Sequence, residues 1–263
     1  MIDVSNVSVR LSGKSVLENV SFQAQAGELT AICGPNGSGK TTLMKAISGE
    51  LPYKGSVKFG NDEVSRLEPW QMATIRAVLP QSSSLSFPFT VREIVRMGLT
   101  TGVNSRPEQA DRIAAEALHS VDLAGFEGRF YQELSGGEQQ RVQFARILCQ
   151  IPEPIADGRP CWLLLDEPVS NLDISHQMAI MQLARGFCAR GGGVLAVMHD
   201  LNLTALFADR ITMLKSGRLA AAGPVTEVLT DETLQTVFGC ALHVNRVPVN
   251  DVPFVLPHSA VSA

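Results

Sequence analysis

The sequence has no surplus of positive charge: 22 Lys plus Arg stand against 26 Asp plus Glu, a formal net charge of −4. Nothing in that balance pulls the chain onto phosphate backbones or anionic lipid, and no nucleic-acid partner is expected. No uninterrupted apolar run approaches the roughly 18 residues that a spanning helix needs. The start Met1-Ile2-Asp3-Val4 lacks the basic and apolar regions of a secretory leader. The expectation is a soluble cytoplasmic chain, unless a partner holds it at a membrane. Cysteine is scarce and scattered: Cys33, Cys149, Cys161, Cys188 and Cys240 show no C-x-x-C spacing. This argues against a disulfide framework and a zinc site and leaves reduced, mostly buried thiols. The histidines (His119, His176, His199, His243, His258) form no close pair, so no haem or metal site is expected among them. Repeats and low-complexity segments are also lacking. What remains is 263 residues, 45% hydrophobic and 18% charged. That is enough for a substantial core and less than two full domains usually need, so one domain with an inserted lobe is the default.

Periodicity divides the chain into three characters. Alternation over Ile2 to Leu11, Val16 to Gln25 and Glu28 to Cys33 predicts strands, the last running into a Gly-rich turn. A helix over Lys40 to Ser48 follows, stopped at Gly49, with strands at Ser56 to Phe59 and Ala77 to Leu79. From Ser82 to about Gln150 the pattern is helical: Val91 to Met97, Pro107 to Val121 and Gly136 to Cys149. The second of these places Ile113, Ala114, Ala117, Leu118 and Val121 on one face. Beyond it, Trp162 to Leu165 and Val194 to Met198 are short apolar runs of the kind fully buried parallel strands have, and a helix over Ile174 to Ala189 lies between them. Ile211 to Leu214 and Arg218 to Ala221 are joined by the turn Lys215-Ser216-Gly217. Strands alternating with helices predict an α/β fold with a βαβ core and a parallel sheet. The Pro-containing tail beyond Cys240 has little helical content.

Gly34-Pro35-Asn36-Gly37-Ser38-Gly39-Lys40-Thr41 fits the P-loop pattern between a predicted strand and a predicted helix. Glycines let backbone N–H groups turn inward around phosphate oxygens, and the helix offers its N-terminus to the anion. Lys40 reaches the β/γ-phosphates and the Thr41 hydroxyl ligates Mg²⁺. Leu163-Leu164-Leu165-Asp166-Glu167 is an apolar strand ending in two acids at the sheet edge where open α/β sheets bind ligands. Asp166 is suited to holding Mg²⁺ through water. Glu167, pointing elsewhere, is suited to accepting a proton from attacking water. Leu134-Ser135-Gly136-Gly137-Glu138-Gln139-Gln140-Arg141 opens another helix, with Val142, Ala145 and Leu148 as its buried stripe. Ser135 with two glycines leaves free N–H groups at a positive helix end, a second anion site. If both sites serve one ATP, they converge within a subunit or meet across a dimer interface.

With these motifs the chain resembles the ATP-binding-cassette family over roughly residues 1 to 240. The resemblance implies a P-loop NTPase fold: a RecA-like mixed sheet core, an antiparallel β subdomain and an inserted helical lobe. It implies a single cassette over 1–263, with the core and β subdomain in 1–81 and 151–240, the helical lobe in 82–150 and a tail in 241–263. In that family the signature of one subunit closes on the γ-phosphate held by the P-loop of the other. Ser135, Gly136, Gly137 and Glu138 are therefore expected to act in trans within a head-to-tail homodimer sandwiching two ATP. Gln81 looks like the Q-loop glutamine, a further Mg²⁺ contact; Thr42 extends the nucleotide-binding set. Ser170-Asn171-Leu172-Asp173 looks like the D-loop, and His199 like the switch histidine that meets the γ-phosphate. Glu167, His199 and Gln81 are the implied catalytic set.

The sequence also departs from the family pattern. Leu11 stands where an aromatic residue usually stacks on adenine, Glu138 where Gln is commoner, Val169 for Thr, and Asn171 for the usual Ala. With no membrane segment of its own, the chain resembles the separate ATPase subunit of a bacterial importer, docked on transmembrane permease subunits at the cytoplasmic face of the inner membrane. A periplasmic substrate-binding protein would be an indirect partner. Leu85 to Val95 is either the docking surface or lobe core. Ser83 to Gly98 and the approach Pro152-Glu153-Pro154 through Gly158-Arg159-Pro160 to Trp162 resemble haemin importer ATPases, relatives of the ferric-siderophore and cobalamin importers. The alternative is a non-transport ATPase of the family working on ribosomes or DNA. Those commonly carry two cassettes, a long coiled coil or zinc insertions, and the interval from Lys40 to Asp166 offers no heptad run or Cys cluster.

Overall fold

The computed structural model describes residues 1–81, 87–100, 107–247 and 253–260. In chain order the first half comprises β1 (Ile2–Leu11), β2 (Lys14–Ala24), β3 (Leu29–Cys33), α1 (Lys40–Ile47), β4 (Lys54–Phe59), β5 (Asp62–Glu63), α2 (Pro69–Ile75), β6 (Arg76–Leu79), α3 (Val91–Met97), α4 (Pro107–Ser120) and α5 (Gly136–Gln150). The second comprises β7 (Ile155–Ala156), β8 (Arg159–Pro160), β9 (Trp162–Asp166), α6 (Ile174–Ala189), β10 (Gly193–Val197), α7 (Leu201–Phe207), β11 (Arg210–Lys215), β12 (Arg218–Pro224), α8 (Val225–Val228) and α9 (Asp231–Phe238).

Of the strands expected to alternate, β1 and β2 entered a small sheet, but β3 corrects that expectation: it is buried at every residue and joins the apolar runs β9 and β10 in the large sheet, which is covered on both faces. β1 buries Ile2, Val4, Val7 and Val9, its alternation shifted by one at an irregularity around Asn6, and lies in a four-stranded antiparallel sheet ordered β2-β1-β4-β5. In β3, β9 and β10 every residue is buried. They are the centre of a six-stranded sheet ordered β12-β11-β3-β10-β9-β6, parallel apart from β12 and covered on both faces. Between the two sheets lies α1. Its Leu43, Met44 and Ile47 pack with Ile32, Leu164, Leu195 and Val197 on one side and with Ile2, Val4 and Val57 on the other. Trp162, the largest fully buried side chain, meets Phe59 edge to face at 6.2 Å in that layer. The opposite face of the large sheet carries α3 to α7 in the main hydrophobic cluster. This is the α/β mixed-sheet architecture that the resemblance implied.

The α4 face expected from spacing is the one that packs: Ala114, Ala117, Leu118 and Val121 are buried. The β11–β12 turn has Ser216 at φ 49° and Gly217 at φ 77°, the left-handed pair a tight hairpin requires. Periodicity did not reveal α2, α7 and α9. These helices of seven or eight residues bury only two or three side chains each, too few to set out a face, and their starts are written in caps instead. Gln71 Oε1 accepts the Glu68 N–H at 2.9 Å, and Asp200 accepts the N–H groups of Asn202 and Leu203. The Pro-containing approach to β9 folds as the β7–β8 hairpin, turning through Asp157 and Gly158 at positive φ.

Of the segment weighed as docking surface, Leu85 and Ser86 lie outside the described residues, as do Ser83 and Ser84. Val91, Ile94 and Val95 are buried lobe core, whereas Phe87 is 69% exposed. Four of the five cysteines are buried and Cys240 is exposed. Burial pushes the Cys149 and Cys188 thiols up to about 12, which keeps them protonated and unreactive.

Candidate active site

The order of the large sheet gathers the motifs. Neighbouring strands β3, β10, β9 and β6 end at the same edge. Val197 lies opposite both Ile32 and Asp166, and Leu165 opposite Leu79. The segments leaving those strands therefore carry Gly34–Lys40, His199, Asp166–Glu167 and Gln81 to one place. Residues far apart in sequence line one cleft of about 600 Å³: Asn36, Gly37, Gly39, Lys40, Thr41, Thr42, Gln81, Glu167 and His199, with Val16 beside them.

Two glycines of the loop are required by close approach. A Cβ on Gly34, at φ 148°, would stand 2.2 Å from the Leu214 carbonyl oxygen. One on Gly39, at φ 102°, would stand 2.6 Å from Leu17 Cδ2. The Lys40 ammonium is buried and folds back over the loop, donating to the Gly34 and Pro35 carbonyls at 2.9 and 3.1 Å. Burial lowers its pKa, opposed by the negative charges of Glu167 and Asp166. Ser38 Oγ is buried without a hydrogen-bond partner. Ser38 is not among the residues that line the cleft, so the groups there that suit a phosphate are the Lys40 ammonium and the glycine backbone of the loop.

The two acids at the end of β9 face different neighbours. Asp166 Oδ1 accepts a hydrogen bond from Thr41 Oγ1 at 3.4 Å, and burial raises the pKa of its carboxyl, a shift the Thr41 hydroxyl opposes. Hydroxyl and carboxylate oxygens are the hard donors that Mg²⁺ takes, so this pair fits that ion. Glu167 holds φ 55°, a left-handed conformation that costs a non-glycine residue of order 1–3 kcal/mol. Its N–H donates to the Val197 carbonyl at 3.2 Å. That twist turns the carboxylate away from Asp166: Glu167 Oε1 accepts from Gln81 Nε2 at 2.9 Å and meets His199 Nε2 at 2.6 Å.

The second anion feature is not in this cleft. Ser135 caps α5, where its Oγ accepts the Glu138 N–H at 3.3 Å. Both the Ser135 hydroxyl and the Ser135 N–H donate to Glu138 Oε2, at 2.7 Å each, which holds the Glu138 carboxyl below its usual pKa. This reciprocal cap takes the Ser135 and Glu138 amides and leaves the Gly136 and Gly137 N–H groups of the first turn outside it. Gly136 and Gly137 do not line the P-loop cleft, so within one chain the two anion features do not converge. Asp173 caps α6; its Oδ1 accepts the His176 N–H at 2.9 Å and meets His176 Nδ1 at 2.8 Å, which lowers its pKa. Leu11, 39% exposed, does not line the cleft. Val16 does, and an aliphatic residue in an alternating strand carried no chemical signal of it. A second cleft of about 680 Å³, at the other edge of the sheet near Trp70 and Arg159, contains none of the motif residues.

A family model described as ABC transporter matches residues 17–170. The chain belongs to the ABC transporter family. It is 72% identical over 262 residues to a protein of Rhizobium etli named hemin import ATP-binding protein HmuV, covering 100% of this chain and 99% of that one. A protein of the same name from Rhizobium meliloti is 61% identical, with 99% of each chain covered. Among solved structures, an ATP-binding subunit of an ABC transporter superposes with a TM-score of 0.77 at 24% identity, covering 92% of this chain and 94% of that one. A dimeric bacterial ABC transporter cassette superposes at 0.73 with 29% identity, covering 86% and 99%. The cassette is an ATP-binding, ATP-hydrolysing transport subunit of a fold that dimerises. No described helix is long and apolar enough to cross a membrane.

Proposed function

We propose that this cassette powers haemin import, hydrolysing ATP between two copies of itself and passing the resulting motion to a membrane permease. The observation that carries the hydrolytic part is the convergence of the P-loop, the Thr41–Asp166 pair and the Gln81–Glu167–His199 cluster on one sheet edge. The haemin cargo rests on full-length similarity to the hemin import proteins.

The residues divide the work. The amides and small side chains of Gly34, Pro35, Asn36, Gly37, Ser38 and Gly39 bind the phosphates, with Thr42 at the helix start. Lys40 exchanges its two loop carbonyls for β/γ-phosphate oxygens, a swap its reduced solvation in the loop favours. Mg²⁺, held by Thr41, Asp166 and the Q-loop Gln81, would supply neutralisation of the phosphate charge. Glu167 takes the proton of the attacking water, oriented by the Gln81 amide; His199 meets the same carboxylate oxygen and contacts the γ-phosphate. The site is incomplete in one chain. Ser135, Gly136, Gly137 and Glu138 of one protomer close over the nucleotide of its partner, with Asp173 at the seam. ATP favours the closed dimer through those contacts and hydrolysis releases it. In this division of the chain, 1–81 and 151–240 form the catalytic core and β layer, 82–150 the lobe that meets the permease, and 241–263 the tail. The subunit sits at the cytoplasmic face of the inner membrane through that permease, and a periplasmic binding protein delivers cargo on the far side.

The test is ATPase activity in proteoliposomes with the co-purified permease. Stimulation by a haemin-loaded binding protein, and not by siderophore- or cobalamin-loaded ones, is expected. Active basal hydrolysis without that stimulation would discard the cargo and keep the enzyme.

A further inference from the structure

A primary amide is both donor and acceptor, so a glutamine can bridge two main-chain groups of opposite kind. Gln140, in the first turns of α5, does this. Its Nε2 donates to the Glu167 carbonyl at 2.9 Å, and its Oε1 accepts the Asn171 N–H at 3.3 Å. Because a carbonyl only accepts and an N–H only donates, the orientation of the amide is dictated by its partners. The two groups it joins are the main chain of the strained φ 55° residue that aims the catalytic carboxylate, and the D-loop. On the same helix the signature turn also presses on the D-loop: a Cβ on Gly137 would stand 3.1 Å from the Asn171 carbonyl oxygen. Gln140 itself does not line the nucleotide cleft. It lines a smaller one of about 170 Å³ that also includes Gln81, Gly136 and Asn171.

We propose that Gln140 is a positioning residue that couples the two ATP sites of the dimer. This rests on the head-to-tail reading above, in which Glu167 serves its own protomer's ATP and the signature turn serves the partner's. Under that arrangement the bridge ties the main chain of the catalytic residue in one site to the helix whose first turn completes the other. A shift of Glu167 on binding or losing the γ-phosphate moves the Gln140 amide, and with it α5 and the signature turn. The physical element is one helix and one loop, hydrogen-bonded together, biased by both sites.

The experiment measures ATPase rate against ATP and protein concentration for the full chain, for Gln140→Leu, which keeps size and removes both bonds, and for Gln140→Glu, which keeps only the acceptor. For the parent, a rate that rises faster than first order in protein and a Hill coefficient of roughly 2 are expected, the ceiling for two sites. Gln140→Leu is expected to lower kcat about tenfold, leave KM within about twofold and bring the Hill coefficient toward 1, with Gln140→Glu between. A loss of kcat with cooperativity intact would reduce Gln140 to a local support of Glu167 and overturn the coupling; so would parental kinetics in Gln140→Leu. A parent that is first order in protein and non-cooperative would overturn the dimer reading and the proposal with it. Should Gln140→Leu not fold, the Gln140→Glu comparison decides by the same criteria.

Discussion

Glu167→Gln replaces one carboxylate oxygen by an amide nitrogen without changing shape, and the structure separates what it should and should not disturb. The amide oxygen can still accept from Gln81 Nε2, so the loop beyond β6 keeps its anchor, but no atom of the new side chain can take a proton from water. A general base contributes typically 10² to 10⁴-fold, so the barrier should rise by about 3–5 kcal/mol at 1.36 kcal/mol per factor of ten. His199 meets the same oxygen as Gln81, so that contact also survives, and losing its charge component beside a side chain that is 43% exposed should cost at most about 1 kcal/mol of stability. That corresponds to a Tm change of about 2–4 °C in a chain of this size. In the proposed site the nucleotide is held by Lys40 and the loop, which the substitution does not touch, so affinity should stay within about threefold. Steady-state phosphate release, equilibrium binding of ATP and gel filtration with ATP read the three quantities. The expected pattern is binding retained, turnover lost, and an ATP-stabilised dimer that accumulates because the releasing step is blocked. Turnover within about tenfold of the parent would remove Glu167 as the base. Loss of ATP affinity together with turnover would show that its carboxylate positions the loop rather than the water.

Two further substitutions probe the other halves of the site. Ser135→Arg puts a bulky cation at the exposed α5 cap. ATP binding by the isolated chain should be unaffected while hydrolysis falls by two or more orders of magnitude, roughly the weight of a preorganised anion donor; normal hydrolysis would rule out a shared site. Asp166→Asn removes a buried carboxylate whose pKa burial has raised above 3.8. From that pH up to the raised value, the folded chain keeps a proton that the unfolded chain has lost, so the parent loses stability as pH rises through the window. The variant lacks this slope. Urea unfolding without nucleotide should find the two equal in acid and the variant the more stable at neutral pH. Its Mg²⁺-dependent nucleotide binding should be weakened; a variant less stable at neutral pH would contradict the burial argument.

Local chemistry wrote much of this protein in plain sequence. The spacing of Gly34 to Thr41, the apolar run ending in Asp166 and Glu167, and the Ser135–Glu138 helix start are each legible because phosphate binding, strand burial and helix capping are short-range demands on neighbouring residues. The apolar runs of β9 and β10 likewise announce a sheet covered on both faces, whereas β3, read as alternating, joined them only through the fold. The sequence alone could not say which of these segments meet. That Glu167 turns from Asp166 toward Gln81 and His199 follows from a strained φ and from β6, β9 and β10 lying side by side, relations set by sheet order. Val16 enters the cleft because the small sheet packs over α1, and Gln140 reaches Glu167 because α5 packs beside β6. An aliphatic residue and a helical glutamine have many ordinary uses, and neither acquires a role until packing gives it a neighbour. The two-sheet core made that choice: burying both faces of the large sheet left one set of strand ends adjacent, and the cleft formed at that edge.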